Sequence, residues 1–179
     1  MTANPPIPQD HPAATLHGLE VTLPDGQPVR LDRYAGNVCL IVNIASRCGL
    51  AKRNYAPLEE LQRRYRDRGL RVLAFPSNDF LNQEPGSPEE IRQFCTRFNA
   101  TFDLFAKVHV RGKDICPLYR YLTAHPDRRI AGPVRWNFQK YLVNRRGDVV
   151  AKFSPLSKPL GGKITAAVER LLAEGSVDA

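Results

Sequence analysis

Apolar and polar positions change rhythm along the chain, and the changes predict its elements. Leu19-Glu20-Val21-Thr22-Leu23 and Val29-Arg30-Leu31 flank Pro24-Asp25-Gly26, a turn signal between two short strands. Val38 to Ile44 is a short, largely β-branched apolar run and reads as a buried strand. Beyond it, Tyr55, Leu58, Leu61 and Tyr65 recur at helical spacing, and Gly69 ends that helix. Leu70 to Phe75 reads as the next strand, stopped by Pro76. Ser87-Pro88-Glu89-Glu90 is a capping box with proline at the first helical position; it opens a helix with Ile91, Phe94, Cys95 and Phe98 on its buried side. A strand is predicted near Val108 to Val110, then a short helix from Pro117. Gln139–Val143 and Val149–Phe153 bracket the turn Asn144–Asp148 as a second hairpin. Ile164, Ala167, Val168, Leu171 and Leu172 stripe a terminal helix.

The order is hairpin, β, α, β, α, hairpin, α. Its first half is a βαβ unit, whose crossover is right-handed and whose strands are parallel. The fold class is therefore α/β: a central mixed sheet flanked by helices with an N-terminal β-hairpin, the arrangement of a thioredoxin-like fold. Residues 14–175 form one domain, preceded by a loose leader at 1–13 where four prolines oppose regular structure. In open α/β sheets, sites lie at the carboxyl ends of strands. Cys48, in Ala45-Ser46-Arg47-Cys48-Gly49-Leu50, follows the first core strand at once. A helix N-terminus and the adjacent Arg47 both favour its thiolate, and the thiolate is the nucleophile.

Bulk composition narrows the function. A chain of 179 residues, 42% hydrophobic and 25% charged, is ordinary for a globular domain. The net charge of +8 is spread out, without interleaved stacking aromatics, so it reads as a solvated basic face and not as a nucleic-acid site. No apolar run approaches a membrane span, and the N-terminal segment has no apolar signal core, which points to the cytoplasm. There, four cysteines are reduced core residues or redox-active ones. His11, His17, His109 and His125 lack metal-ligand spacing, and neither a metal nor another cofactor is expected.

Four segments in order then carry a resemblance: Val42–Leu50, Leu73–Phe80, Asn82–Ser87 and Trp136-Asn137-Phe138. Together they resemble the glutathione peroxidase family, over roughly residues 17–172. The resemblance implies reduction of hydrogen peroxide and organic, including lipid, hydroperoxides. It makes Cys48 the peroxidatic cysteine, with Gln83, Trp136 and Asn137 completing a catalytic tetrad. The indole N–H and the two amides are donors that do not titrate near neutral pH. Taken singly, Trp136 is equally a core residue, Asn137 a turn residue and Gln83 a surface one. Arg47 assists Cys48 or is a plain surface charge; Gly49 and Asn78 set the shape of the backbone.

Cys95, in Phe94-Cys95-Thr96-Arg97-Phe98, resembles the resolving cysteine of the thioredoxin-dependent members; otherwise it is a buried helical thiol. A disulfide needs Cα atoms within about 7 Å, so the helix carrying Cys95 must partly unwind to reach Cys48. The reductant implied is thioredoxin, with glutathione as the alternative, and a peroxide sensor or relay is the rival from another class. Three departures stand out: Ser77 where many relatives have cysteine, Asp79 for glutamine, and Leu81 where glycine is frequent. Cys39 reads as inert core and Cys116 as non-catalytic. Only thirteen residues separate Leu122 from Trp136. The absence of a longer insertion there implies a monomer or weak dimer.

Overall fold

A computed structural model describes residues 15–175. The predicted leader lies outside the described residues. Strands β1 (Glu20–Thr22) and β2 (Pro28–Arg30) pair antiparallel as a separate hairpin. The main sheet has β3 (Val38–Ile44) at its centre. On one side β4 (Leu70–Pro76) and then β5 (Asp103–Leu104) add in parallel; on the other β6 (Lys140–Val143) and then β7 (Val149–Phe153) add antiparallel. Four helices cover it: α1 (Ala51–Tyr65), α2 (Pro88–Thr96), α3 (Pro117–Thr123) and α4 (Gly162–Ala173).

All seven residues of β3 are buried, because both faces of the sheet are covered. Side chains alternate across a strand, so the two faces separate cleanly. Val38, Leu40, Val42 and Ile44 join a layer with Tyr55, Leu58 and Leu61 of α1, Ile91 and Cys95 of α2, and Ile164 and Val168 of α4. Cys39 and Ile41 join the opposite layer with Leu118, Tyr119 and Leu122 of α3 and Val21 of the hairpin. Gly69 turns the chain from α1 into β4 with φ 103°, and a Cβ there would stand 2.8 Å from the Arg145 guanidinium. Only glycine satisfies both conditions.

Two predicted elements differ. Residues 108–110 are not a strand: the edge strand is Asp103–Leu104. Past it the chain runs beyond the end of β4, where Val108 N–H reaches the Pro76 carbonyl and Val110 N–H is taken by the Asp79 carboxylate. A side chain supplies the acceptor that a neighbouring strand would have offered. Helix α2 ends at Thr96, two residues short of Phe98, which lies in the following turn and stacks on Tyr55 at 5.1 Å. The cap is as predicted: the Ser87 side chain accepts from Glu90 N–H, and the Glu90 carboxylate accepts from Ser87 N–H.

Candidate active site

β3 runs toward one edge of the sheet and releases the chain into the turn 45–50, so Cys48 stands at the carboxyl end of the central strand. The thiol is 6% exposed, and Leu50 N–H donates to its Sγ at 3.5 Å. Ala51 N–H, the first of α1, turns back to the Cys48 carbonyl. Asn54 steadies this start by donating to the Leu50 carbonyl at 2.9 Å. Arg47 is exposed. Gly49 has open space where a Cβ would stand and no left-handed φ, so the turn does not require glycine there, contrary to the shaping role read from the sequence.

Two other segments converge on this turn. Arg47 N–H donates to the Gln83 carbonyl at 3.0 Å. Ser46 donates twice to the buried Glu84 carboxylate, from N–H at 2.9 Å and from Oγ at 2.6 Å. Burial raises the Glu84 carboxyl; the Ser46 bonds and the charges of Lys107 and Arg47 act against that rise. Glu84 N–H in turn donates to Asn78 Oδ1 at 2.9 Å. The third segment is pinned by Asn43 of β3. Its Nδ2 donates to the Trp136 carbonyl, its Oδ1 accepts from Gln139 N–H, and its own carbonyl accepts from Phe138 N–H at 2.7 Å. Phe138 holds φ 66°, a left-handed conformation that aromatic residues seldom adopt.

These pins bring the Gln83 and Asn137 side chains together. Asn137 Nδ2 donates to Gln83 Oε1 at 2.9 Å, leaving the Gln83 Nε2 donors uncommitted. Asn137 is fully buried, and its own Oδ1 has no partner among the described residues. Trp136 is half-buried, packs against both core layers, and lies 5.2 Å from the Phe80 ring. The Gln83 rim is bent: Leu81 and Asn82 both have φ 51°, and Leu81 is 76% exposed. The leucine found where glycine is frequent thus keeps a glycine-like backbone at a cost of about 1 kcal/mol.

The glutathione peroxidase family model matches residues 16–123. The chain belongs to the glutathione peroxidase family. It is 43% identical over 160 residues to phospholipid hydroperoxide glutathione peroxidase 1, chloroplastic, of Arabidopsis thaliana, covering 89% of this chain and 67% of that protein. It is 41% identical over 150 residues to the phospholipid hydroperoxide glutathione peroxidase of Bos taurus, covering 83% and 76%. The crystal structure of T. cruzi GPX1 superposes with a TM-score of 0.68 at 33% identity, over 88% of this chain and 94% of that one. A thioredoxin-family thiol:disulfide interchange protein from Chlorobium tepidum superposes with a TM-score of 0.64 at 12% identity, over 88% and 95%. The fold of this family member is thioredoxin-like.

The remaining thiols of the chain differ in setting. Cys95 is 6% exposed on the inner face of α2, and burial, with the nearby Glu84 carboxylate, pushes its pKa up to about 12. Cys39 is enclosed in β3 and is also pushed up to about 12 by burial. Cys116 is half-buried just before α3, and burial raises it as well. All four cysteines are free. Ser77 is buried, with its N–H on the Ile44 carbonyl. Among the described residues, no cluster of His, Cys, Asp and Glu is arranged to hold a metal ion, and no helix is long and apolar enough to cross a membrane.

Sequence reading alone missed Asn43, Ser46 and Glu84. Asn43 carried a signal, a carboxamide in the middle of an otherwise apolar strand. Ser46 and Glu84 carried none, since their pairing spans 38 residues.

Proposed function

We propose that this chain is a thiol peroxidase that reduces hydrogen peroxide and organic hydroperoxides, lipid ones included. Cys48 Sγ attacks the terminal peroxide oxygen. An S–O bond forms, the O–O bond breaks, and the departing oxygen leaves as alcohol or water once protonated. Cys48 becomes a sulfenic acid. Gln83, Trp136 and Asn137 supply uncharged donors to the thiolate and then to the leaving oxygen. The observation that carries this reading is the convergence at the end of β3: the Cys48 turn is bonded to the Gln83 carbonyl, and Gln83 to Asn137. Arg47 and Asn78 support the turn and do not react.

Cys95 is the resolving thiol in this reading. Its burial suits a group that must stay idle until needed. Partial unwinding of α2 would carry it toward Cys48 and also expose it, lowering the pKa that burial holds at about 12. A thioredoxin-like protein then reduces the Cys48–Cys95 disulfide. The protein works without a metal or other cofactor, as a monomer or weak dimer in a reducing compartment such as the cytoplasm, and residues 14–175 form one domain.

Steady-state peroxide reduction with thioredoxin and with glutathione, side by side, tests the reading. Cys48→Ser abolishes turnover with both reductants, and Cys95→Ser abolishes the thioredoxin-linked reaction. Unchanged turnover of Cys95→Ser, with glutathione preferred, reverses the choice of reductant. A Cys48 that oxidises once with neither reductant supporting turnover favours the sensor instead.

A further inference from the structure

Tyr55 is completely buried on α1, and its hydroxyl has no hydrogen-bond partner among the described residues. Leaving a buried hydroxyl unpaired costs about 1–3 kcal/mol, and phenylalanine would fill the same space without that cost. The ring is caged by the two phenylalanines that flank Cys95 and by the one that follows Asn137. Phe94 meets it edge-on at 5.1 Å, Phe98 stacks on it at 5.1 Å, and Phe138 meets it edge-on at 5.8 Å. The phenol therefore stands between the helix that carries the resolving thiol and the loop that carries Asn137. Burial raises its pKa well above the ordinary tyrosine range, and Cys95, Glu84 and Cys48 each lie near enough to raise it further. A neutral donor is held in the same packed layer as both thiols, with nothing among the described residues to donate to.

We infer that the Tyr55 hydroxyl is the hydrogen-bond donor for the oxygen that Cys48 gains on oxidation, and that it assists departure of that oxygen when Cys95 attacks. The inference rests on the two-cysteine cycle proposed above. In the step concerned, Cys95 sulfur attacks Cys48 sulfur, the S–S bond forms and the S–O bond breaks. The leaving hydroxide takes a proton to become water, and that proton is replaced by the one Cys95 gives up. The Cys48 sulfur is reduced and the Cys95 sulfur oxidised, so the peroxide remains the only external oxidant. A donor on the departing oxygen strengthens as negative charge develops there, which is where donors accelerate a reaction. Because Tyr55 is on α1, it stays with Cys48 while α2 opens.

Tyr55→Phe tests this in the full chain, with one equivalent of hydrogen peroxide. Sulfenic acid at Cys48 is followed by dimedone trapping, the disulfide by peptide mass mapping, and the fold by thermal melting. The variant melts no lower than the parent, accumulates the sulfenic acid, and closes the disulfide at least ten-fold more slowly; excess peroxide then over-oxidises Cys48. Closure at the parent rate overturns the role of Tyr55, whatever the melting temperature. A melting temperature that falls while closure stays slow assigns the hydroxyl a structural role and also overturns it. A parent protein that forms no sulfenic acid, or forms it but no Cys48–Cys95 disulfide, defeats the underlying cycle instead. The two failures are therefore distinguishable.

Discussion

Asn43 interrupts the apolar run of β3, and both ends of its side chain are used on the loop that carries Trp136 and Asn137. Replacing it with alanine strands the Trp136 carbonyl and the Gln139 N–H in a buried place. Each lost partner costs about 1–3 kcal/mol, so Asn43→Ala is destabilised by about 2–6 kcal/mol overall. The same change loosens Asn137, whose amide holds Gln83. Peroxide turnover therefore falls by about ten-fold or more, because a small misplacement of a donor forfeits much of its transition-state stabilisation. Urea unfolding and kcat/KM, measured on the same preparation, check both halves. A variant that loses stability but keeps full turnover would mean that the loop is positioned by something else. The exposed Leu81 gives the opposite kind of residue-scale case. With φ 51° and no packing to lose, Leu81→Gly should relieve strain while raising the entropy of the unfolded chain, leaving stability nearly unchanged.

Helix α2 is built to be both held and released. It has nine residues and buries only Ile91 and Cys95. Isolated helices this short are not stable in water, so its caps and packing decide whether it persists. Buried carboxylates fix the chain on either side of it: Glu84 accepts from Ser46, and Glu59 accepts from the N–H and hydroxyl of Thr101 at 2.6 and 2.8 Å. Opening is therefore confined to the stretch between these anchors. The Ser87–Glu90 capping box opposes it from the N-terminal end. Ser87→Ala removes the cap at a cost of about 1 kcal/mol. If α2 must open before Cys95 meets Cys48, that loss lowers the barrier, and disulfide closure accelerates by up to about five-fold. Stopped-flow oxidation followed by mass mapping reads the rate. A rate unchanged while the melting temperature falls would show that closure does not wait on α2.

The elements were legible in the sequence where local chemistry decided them. Continuous apolar runs placed β3 and β4, and the capping box placed the start of α2. Gly69 reads as the end of α1, but that helix stops at Tyr65 and Gly69 closes the short 3-10 turn Arg66–Arg68 after it. The edge strand was misplaced because its pairing depends on where β4 ends, and Val110 N–H is taken by a carboxylate from Asp79, about thirty residues away, which no local window contains. The site was legible as residue types in order, while its scaffold was not: Asn43, Ser46 and Glu84 act across loops that only the folded chain closes.

At the scale of the whole molecule, covering both faces of one sheet encloses titratable groups that the unfolded chain would leave in water, and this sets how stability responds to pH. Lys140 begins β6 and is fully buried. Its Nζ donates to the carbonyls of Pro155 and Ser157, and desolvation lowers its pKa from 10.5 to about 7. The unfolded chain therefore holds more protons than the native one as pH rises from 7 toward 10.5, and in that window this group makes stability rise with pH. Cys39 and Cys95 work the other way. Burial lifts both from 9.0 to about 12, so above pH 9 the unfolded chain gives up protons that the native one keeps, and stability falls. The reduced protein should be most stable near pH 9, with a rise from 7 that belongs mainly to Lys140. Lys140→Met loses two hydrogen bonds and sits lower throughout, so the slope is the readout and not the height. Urea midpoints of the parent and the variant, taken under reducing conditions at intervals from pH 7 to 10.5, separate the two contributions. The rise between 7 and 9 flattens in the variant while the fall above 9 persists; an equal rise in both proteins would place the titrating group elsewhere.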